Sequence, residues 1–371
     1  MSLSTCDVAI IGGGVIGLSC AWRLAQRGAK VHLFERGQVG REASWAAAGM
    51  LAAQSEAAVH APHSSAEYSQ RDAFFQLSLR SRAMYAKLAV ELLDETGIDI
   101  ELSLNNTASG DWRTSGILFL GDEGDMAFEC FGGQAEQGER VEQLDTNALW
   151  LNDEGQVENR KLTAALGAAA KNAGVKIHEQ CEVVNISKNA LKTSHGSTDC
   201  QKILNCAGAW STQIHGAAAA CLPPVRPVAG EVLAVRTSTP LRHIIYSREV
   251  YLVPRLDGRV LIGATMNEIG YDKSTTVVAR DYLLRAAQHL LPNENFVVED
   301  HWAGLRPATP DGMPVLGSTP VEDLYVATGH FRNGILLTPI TAQLMADCIL
   351  EGKEPPREFS IDRFAAGVLA A

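Results

Sequence analysis

The chain has 371 residues, of which 46% are hydrophobic and 20% charged, and its formal net charge is −11. This length is enough for two lobes with a sizeable core. The acidic balance argues against a protein that binds nucleic-acid backbones, because such proteins need a basic face. No apolar run reaches membrane-spanning length, and residues 1–7 have no basic n-region, so we expect neither a membrane segment nor a secretory signal.

The eight cysteines are scattered along the chain, with no C-x-x-C pair and no metal-ligand spacing. This pattern is typical of reduced, packed thiols in a cytoplasmic protein, and it predicts no metal site. The cysteines are Cys6, Cys20, Cys130, Cys181, Cys200, Cys206, Cys221 and Cys348.

The first predicted element is a buried strand over residues 6–11 that runs into a glycine-rich turn. The glycines of this turn are Gly12, Gly14 and Gly17. Gly12 permits a tight turn, Gly14 lets the backbone approach a pyrophosphate, and Gly17 lets the following helix pack against the strand. A glycine-rich loop alone is a weak signal, so the elements that follow decide its meaning.

Those elements come in the order of a dinucleotide-binding unit. A helix is predicted over residues 18–27, where apolar residues recur at helical spacing before Gly28. A second strand over residues 29–34 leads to Glu35, whose carboxylate is placed to bond the ribose hydroxyls. Strand, turn, helix, strand and acid in this order predict that the chain binds an adenine dinucleotide.

Residues 36–50 contain a run of small residues in place of an ordinary crossover helix. Small residues let the backbone lie close against a large flat ligand. The alternative is a tightly packed alanine-rich helix. Together with the glycine turn, the run is similar to the stretch with which amine- and amino-acid-oxidising flavoproteins hold FAD between the phosphates and the flavin ring.

The remaining pattern predicts an α/β fold with two lobes (α+β). We expect the chain to cross between the lobes several times. One lobe is a Rossmann-like FAD-binding domain with a parallel sheet, formed by residues 1–97, 152–225 and 296–371. The other is a substrate domain on an antiparallel sheet, formed by residues 98–151 and 226–295. Helices are predicted over residues 72–96 and 159–174, and strands at 98–104, 116–120, 175–186, 202–210, 226–235, 250–255 and 259–264.

Two features near the end of the chain suit contact with a bound ligand. Pro307 biases Arg306 toward an extended backbone, which would hold its guanidinium out from a strand end. A strand over residues 324–328 leads to a helix with Thr338 as N-cap and Pro339 at its first position. The free amides and partial positive charge of a helix N-terminus suit a reduced flavin, which carries negative charge on its pyrimidine side.

Seven stretches of the chain together resemble the glycine oxidases within the D-amino-acid oxidase-like FAD enzymes. They are residues 12–17, 44–50, 207–210, 251–255, 263–266, 302–307 and 329–337. The resemblance implies non-covalent FAD and the oxidation of glycine, sarcosine or small D-amino acids to the imine, with oxygen reduced to hydrogen peroxide. It further implies a homo-oligomer, a tetramer, and a role in thiamine-precursor synthesis, with catabolism as the other possible role.

The same resemblance assigns roles to single residues. Arg306 would pair with the substrate carboxylate, Tyr251 would help close that site, and Arg332 would sit beside the substrate at the flavin. The plainer alternatives are a structural ion pair for either arginine and a core position for the tyrosine. The substrate pocket is predicted to include Met50, Glu249 and Met266. The cofactor is assigned to Gly12, Gly14, Val15, Ile16, Gly17, Glu35, Arg36, Ala43, Ser44, Ala48, Gly49, Met50, Val183, Gly208, His330, Phe331, Arg332, Asn333, Gly334, Ile335 and Leu336, with His330 as a packing residue and not a base.

Two features depart from the family pattern. Residues 52–70 are longer than the matching segment of typical glycine oxidases and would reshape a lid near the flavin. Glu249, just before Tyr251, would favour cationic or larger amines unless it faces solvent. Other function classes stay open: a flavin dehydrogenase that passes electrons to a quinone or another non-oxygen acceptor, a non-catalytic dinucleotide sensor, and an FAD enzyme acting on modified tRNA. The acidic charge opposes the last of these.

Overall fold

The computed structural model describes residues 2–59, 65–104, 116–120, 141–145, 148–216 and 223–364. Its helices are α1 (Val15–Gln26), α2 (Ala43–Ala46), α3 (Ala53–Val59), α4 (Ser65–Ala83), α5 (Tyr85–Thr96), α6 (Asn159–Asn172), α7 (Val277–Leu290) and α8 (Thr338–Glu351). Its first strands are β1 (Ser2–Ile11), β2 (Val31–Phe34), β3 (Met50–Leu51), β4 (Ile117–Leu120), β5 (Val141–Asp145), β6 (Ala148–Leu151), β7 (Gly155–Gln156), β8 (Lys176–His178), β9 (Val183–Ser187) and β10 (Ala190–Thr193). The later strands are β11 (Gly196–Asn205), β12 (His215–Gly216), β13 (Arg226–Arg236), β14 (Ile244–Ser247), β15 (Tyr251–Pro254), β16 (Arg259–Gly263), β17 (Val297–Ala308), β18 (Val315–Ser318) and β19 (Leu324–Thr328).

The first sheet has nine strands, and its centre is parallel. Strands β8, β2, β1, β11 and β19 run side by side in the same direction, with β9, β10, β12 and β18 at the flanks. Register pairs Ile11 with both Phe34 and Asn205, so the carboxyl ends of β1, β2 and β11 meet at one edge. This edge is where an open parallel sheet binds its ligand.

The second sheet has eight strands in the order β17-β13-β16-β15-β14-β4-β6-β5. All neighbours are antiparallel except β4 and β14. Its longest pair, β13 with β17, sets Val228 opposite Arg306 and Gly230 opposite Gly304. The predicted mixed fold with a parallel and an antiparallel sheet is confirmed. Residues 297–308, which the sequence grouped with the FAD-binding part, pair with β13 in this second sheet.

The largest core cluster joins the parallel sheet to the helices on one of its faces. It includes the fully buried Trp22 and Leu18 of α1, Leu166 of α6, Met345 of α8 and Tyr85 of α5. Burial of side chains of this size supplies about 1.5–3 kcal/mol each. This cluster holds the helices that surround the ligand-binding edge.

Three local predictions were wrong in detail. The single helix over residues 72–96 is instead two helices, α4 and α5, that meet at Met84. Residues 98–104 form no strand, and only Ser103 bridges to Gln156. The N-cap of α8 is Leu337, while the hydroxyl of Thr338 donates to the carbonyl of Gly334 at 2.8 Å.

In the described part of the chain, no helix is both long and apolar enough to cross a membrane. The described residues also contain no group of three or more His, Cys, Asp or Glu side chains that could hold a metal ion. The described cysteines are free and buried: Cys6, Cys20, Cys181, Cys200, Cys206 and Cys348. Cys130 and Cys221 lie outside the described residues.

Candidate active site

A continuous cavity runs from the carboxyl edge of the parallel sheet to one face of the antiparallel sheet. Most of the residues that the sequence assigned to the cofactor and the substrate line it. They are Gly12, Gly14, Val15, Ile16, Glu35, Arg36, Ala43, Ser44, Ala48, Gly49, Met50, Val183, Gly208, Tyr251, Met266, Arg306, His330, Phe331, Arg332, Asn333, Gly334 and Ile335. Segments far apart in the chain therefore share one site.

The glycine turn between β1 and α1 forms one end of this cavity. Gly12 has a φ of +103°, which favours glycine, and a Cβ there would overlap the carbonyl of Cys206, the residue after β11. A Cβ at Gly17 would overlap the carbonyl of Gly12, so Gly17 permits the helix to approach the turn and does not itself line the cavity. Gly14, at the N-cap of α1, faces the cavity without a side chain. A helix N-terminus at this position can hold a phosphate.

Glu35 is held with its carboxylate toward the same end. It is 8% exposed, its Oε2 accepts from the amide of Gly13 at 2.8 Å, and its Oε1 accepts from the amide of Gly37 at 2.8 Å. Each carboxylate oxygen has a second lone pair, so both can also accept from ribose hydroxyls. The neighbouring Arg36 lies 3.7 Å from the ring centre of Trp210. The glycine cradle, the helix end and the oriented acid fit the adenosine and diphosphate of FAD.

The small-residue run is fixed by two contacts that cross the structure. The hydroxyl of Ser44 in α2 accepts from the amide of Val15 at 3.0 Å, which ties α2 to the start of α1. Arg255, which the sequence did not assign, is 2% exposed and donates to the carbonyls of Ala48 at 2.8 Å and Val157 at 2.9 Å. The alanine-rich helix considered as the alternative is limited to four residues, and residues 47–50 lie beyond it and line the cavity.

Arg306 lies at the other end of the cavity, on β17 of the antiparallel sheet. Its Nη1 donates to the carbonyl of Thr265 at 3.1 Å, and its guanidinium occupies the space above Gly230, where any Cβ would overlap it. Burial lowers the pKa of Arg306, while Tyr251 beside it acts in the opposite direction. Among the described residues no carboxylate pairs with Arg306, so the structural ion pair considered from the sequence is not what holds it.

Tyr251, the first residue of β15, is packed against the same end. It is 9% exposed, and a Cβ at Gly263 on the neighbouring strand would overlap its ring. Burial raises the pKa of Tyr251, the positive charges of Arg306 and Arg332 lower it, and Glu56 raises it again. The hydroxyl therefore stays protonated at neutral pH and can donate a hydrogen bond.

Arg332 is held by two residues that the sequence did not assign. Glu56 of α3 accepts through Oε1 from Arg332 Nη2 at 2.9 Å and from the Tyr246 hydroxyl at 2.8 Å. The same Nη2 donates to the Tyr246 hydroxyl at 2.6 Å. Burial alone would lower the pKa of Arg332, but Glu56 outweighs it and raises the pKa. The ion-pair alternative for Arg332 is thus what the structure shows, with the acid on α3 and not near the start of α8.

α3, which carries Glu56, is anchored by a second buried acid. Glu154 is fully buried, and its carboxylate accepts from the amides of Gln54 and Ser55 and from the Ser55 hydroxyl. Arg82 lies 4.0 Å from it. Burial raises the pKa of Glu154 to about 7. The segment predicted to form a lid therefore begins as a helix in the cavity wall, while residues 60–64 of that segment lie outside the described residues.

Besides Gly17, two further predicted site residues do not line the cavity. Glu249 is exposed in the turn between β14 and β15, which corrects its assignment to the substrate pocket. Leu336 is 1% exposed, packs in the main core and accepts through its carbonyl from the Ser81 hydroxyl at 2.6 Å, so its assignment to the cofactor is also corrected. The charged Glu249 lies in solvent and the apolar Leu336 lies in the core. The spacing of residues in the sequence does not show this difference.

Two others lie at the cavity as predicted. Met266 is 57% exposed and stands at the rim. His330 is 3% exposed, and burial lowers its pKa to about 3, so the ring is neutral at physiological pH. Its Nε2 lies 3.1 Å from the Thr341 hydroxyl. These contacts describe a packing histidine.

Comparison with known proteins is consistent with this geometry. Residues 7–348 match the family described as FAD dependent oxidoreductase, DAO. The chain is 36% identical over 365 residues to the glycine oxidase of Geobacillus kaustophilus (strain HTA426), covering 94% of this chain and 93% of that protein. It is 32% identical to the bifunctional protein ThiO/ThiG of Trichormus variabilis, covering 97% of this chain and 55% of that protein. The crystal structure of glycine oxidase from Geobacillus kaustophilus superimposes with a TM-score of 0.85 at 34% identity, covering 97% of this chain and 99% of that one.

Proposed function

Because the chain belongs to the family of FAD-dependent oxidoreductases, we propose that it oxidises glycine and other small amino acids or amines, with oxygen as the electron acceptor. The glycine oxidase of Geobacillus kaustophilus, at 36% identity, supports the substrate class. The observation that carries the proposal is the buried guanidinium of Arg306, which faces the cavity with no carboxylate partner among the described residues. A cation held in this way is stabilised by an anionic ligand.

Arg306 and Tyr251 together determine how a substrate would lie. A carboxylate accepts two parallel charge-assisted bonds from a guanidinium, which fixes both its position and its plane. The hydroxyl of Tyr251 donates to the same carboxylate, as its protonated state allows. Anchoring this end turns the α carbon and the amine toward the middle of the cavity, and such positioning contributes to the rate without a protein base.

FAD would be held at its adenosine end by Glu35 and at its diphosphate by the turn at Gly12 and Gly14. Bound there, it supplies the acceptor for two electrons and a proton equivalent from the substrate. The turn at Gly334 and Ile335, just before α8, supplies backbone at the flavin end of the cavity. His330 is neutral and hydrogen-bonded to Thr341, so the proposal gives it no part in proton transfer.

The proposal includes non-covalent FAD. The described cysteine that lines the cavity is Cys206, at the end of β11 beside the glycine turn and therefore at the phosphate end. Burial raises the pKa of its thiol well above the usual value, which makes it a poor nucleophile. Flavin should accordingly be released by acid precipitation.

The test of the proposed function is steady-state hydrogen peroxide production and oxygen consumption with glycine, sarcosine, and the D- and L-forms of alanine and proline. We expect one peroxide per amine, and poor turnover of L-enantiomers larger than alanine, since the same anchoring would direct their side chains into the flavin or the wall. A preference for a large L-amino acid, or activity only with an artificial acceptor, would overturn the proposal.

We also propose that the chain assembles with copies of itself. The start of α7 exposes Val277 (66%) and Val278 (78%), and the edge strand β17 exposes Val297 (55%). Apolar side chains and an open strand edge favour association with another chain. Light scattering coupled to size exclusion should give a mass that is a multiple of 39.8 kDa, with a tetramer expected. A monomer at micromolar concentration would contradict this.

The similarity to the bifunctional protein ThiO/ThiG supports a place for this activity in thiamine-precursor synthesis. A bacterial strain made dependent on external thiamine by loss of its glycine oxidase should grow without thiamine when it expresses this chain. Failure to grow, with active enzyme present, would favour a catabolic role.

A further inference from the structure

The substrate end of the cavity contains three charged side chains among the described residues: Arg306, Arg332 and Glu56. All three line the cavity together with Tyr251, whose pKa the two arginines lower and Glu56 raises. Glu56 and Arg332 form an ion pair at 2.9 Å, with side chains only 6% and 21% exposed. Arg306 has no carboxylate partner within the part of the chain that the structure describes. The described charges therefore sum to a single net positive charge.

Hydrogen bonds to one carboxylate oxygen of Glu56 stabilise its ion pair with Arg332. One oxygen, Oε1, accepts from Nε of Arg332 at 3.2 Å, from Nη2 of the same residue at 2.9 Å, and from the Tyr246 hydroxyl at 2.8 Å. Tyr246 is 1% exposed, and its ring lies 6.3 Å from that of Tyr251. Arg332 is thus directed at Glu56 and Tyr246, and a ligand that used it as a second anchor would have to replace Glu56.

We propose that Glu56 is a specificity-determining residue: by neutralising Arg332 it limits the site to substrates with a single carboxylate and rejects dicarboxylic amines of similar size. The proposal rests on the proposed function, since it takes Arg306 as the carboxylate anchor. A second substrate carboxylate at this end is repelled by the negative charge of Glu56. Arg332, which could otherwise bind it, is already hydrogen-bonded to Glu56. Rejection by like charge and by an occupied partner is a common source of specificity.

The proposal predicts a defined change in Glu56→Gln. The amide keeps the shape of the side chain and removes its charge, so two positive charges remain for the ligand. A second carboxylate can then bond Arg332, and a charge-assisted hydrogen bond in such a site is worth roughly 10- to 100-fold in affinity. A monocarboxylate gains less, because Arg306 already binds its only charged group.

The measurement uses two acids that cannot be oxidised as amines. Methoxyacetate has the shape of sarcosine, and diglycolate has the shape of iminodiacetate, with an ether oxygen in place of the amine. Dissociation constants are obtained by titrating the flavin absorbance of the FAD-loaded enzyme. We expect Glu56→Gln to improve diglycolate binding relative to methoxyacetate at least tenfold. In turnover, the ratio of kcat/KM for iminodiacetate to that for sarcosine should rise similarly, through KM more than kcat.

Three variants separate charge from shape. Glu249→Gln removes an exposed carboxylate outside the cavity and should leave the ratio of diglycolate to methoxyacetate affinity unchanged. Tyr246→Phe removes the two hydrogen bonds of the hydroxyl, to Glu56 and from Arg332, but keeps the ion pair, so this ratio should also stay unchanged. Glu56→Gln combined with Arg332→Gln restores the single positive charge and should return the ratio to within about threefold of the original.

An unchanged ratio in a folded, FAD-loaded Glu56→Gln enzyme would overturn the proposal. A tenfold change in Tyr246→Phe would do so as well, since the effect would then come from geometry. If Glu56→Gln does not retain FAD, Glu56→Ala removes the same negative charge. An unchanged ratio in that variant would likewise overturn the proposal. If the enzyme binds the acids but oxidises neither glycine nor sarcosine, the proposed function fails while the ratio still tests Glu56. If neither acid binds any of the enzymes, both proposals fail.

Discussion

A side chain added at Gly230 would displace the guanidinium of Arg306 without removing it, because the guanidinium lies directly above Gly230. Gly230 lies in β13, and its φ is outside the left-handed region, so alanine fits the backbone there. A Cβ at this position would lie 2.2 Å from Nη1 and 2.4 Å from Cζ of Arg306. Because nonbonded carbon contacts settle near 3.5–4.0 Å, Gly230→Ala must push the guanidinium away by roughly 1 Å or more.

A displacement of about 1 Å at a substrate-positioning group costs about 100-fold in rate, which corresponds to roughly 2.7 kcal/mol. We expect Gly230→Ala to lower kcat/KM for glycine by about this factor, mainly by raising KM. The overlapping atoms are the tip of a flexible side chain, so the free energy of unfolding should change by less than about 1 kcal/mol. Peroxide kinetics, the flavin spectrum and urea unfolding measure these three quantities.

Gly167→Ala is the matched control. Gly167 lies inside α6, where the nearest atom to a new Cβ is Cγ1 of Val39 at 4.0 Å, so the change should be neutral or stabilise by about 1 kcal/mol. Gly230→Ala added to Arg306→Ala should cause no further loss, because both changes act through one guanidinium. A Gly230→Ala enzyme with near-normal KM and normal stability would refute the assignment of Arg306.

The remaining predictions concern the anchor, a buried acid and the cofactor. Arg306→Ala should weaken glycine binding by about 2–4 kcal/mol in kinetic assays while the flavin spectrum survives, and a near-normal KM would contradict this. Burial raises the pKa of Glu154 from 4.5 to about 7, so the stability it contributes is full below pH 4.5 and is lost as the pH rises to about 7. This loss amounts to roughly 3 kcal/mol, and Glu154→Gln should flatten that part of the profile in urea unfolding between pH 4.5 and 8. Acid precipitation should leave the flavin in the supernatant, and a yellow pellet would disprove non-covalent binding.

Much of the dinucleotide end could be predicted because its determinants are close in the chain. Gly12, Gly14 and Glu35 lie within one strand–helix–strand unit, and the spacing of glycines reports directly on backbone approach. The break between α4 and α5 at Met84 could not be predicted, because no glycine or proline marks it. Helix ends without such residues are set by tertiary packing.

Glu249 and Tyr251 show why spacing alone misplaces a side chain. Two residues apart, they would share one face of a continuous strand. The strand β15 instead begins at Tyr251, and Glu249 lies in the preceding turn, exposed. Charge and burial resolve the ambiguity, since an unpaired carboxylate is far more stable in water than in a cavity.

The sequence by itself determined the nucleotide-binding unit, the mixed α/β fold and the extended backbone at Arg306, since each follows from local spacing or from a neighbouring proline. Only the tertiary structure decided which charges meet. Glu56 and Arg332 are 276 residues apart, and Arg255 reaches Ala48 across 207 residues. Such pairs depend on how the two sheets and α3 close around the cavity. Local backbone preferences carry no information about that closure, because it is set by packing between distant segments.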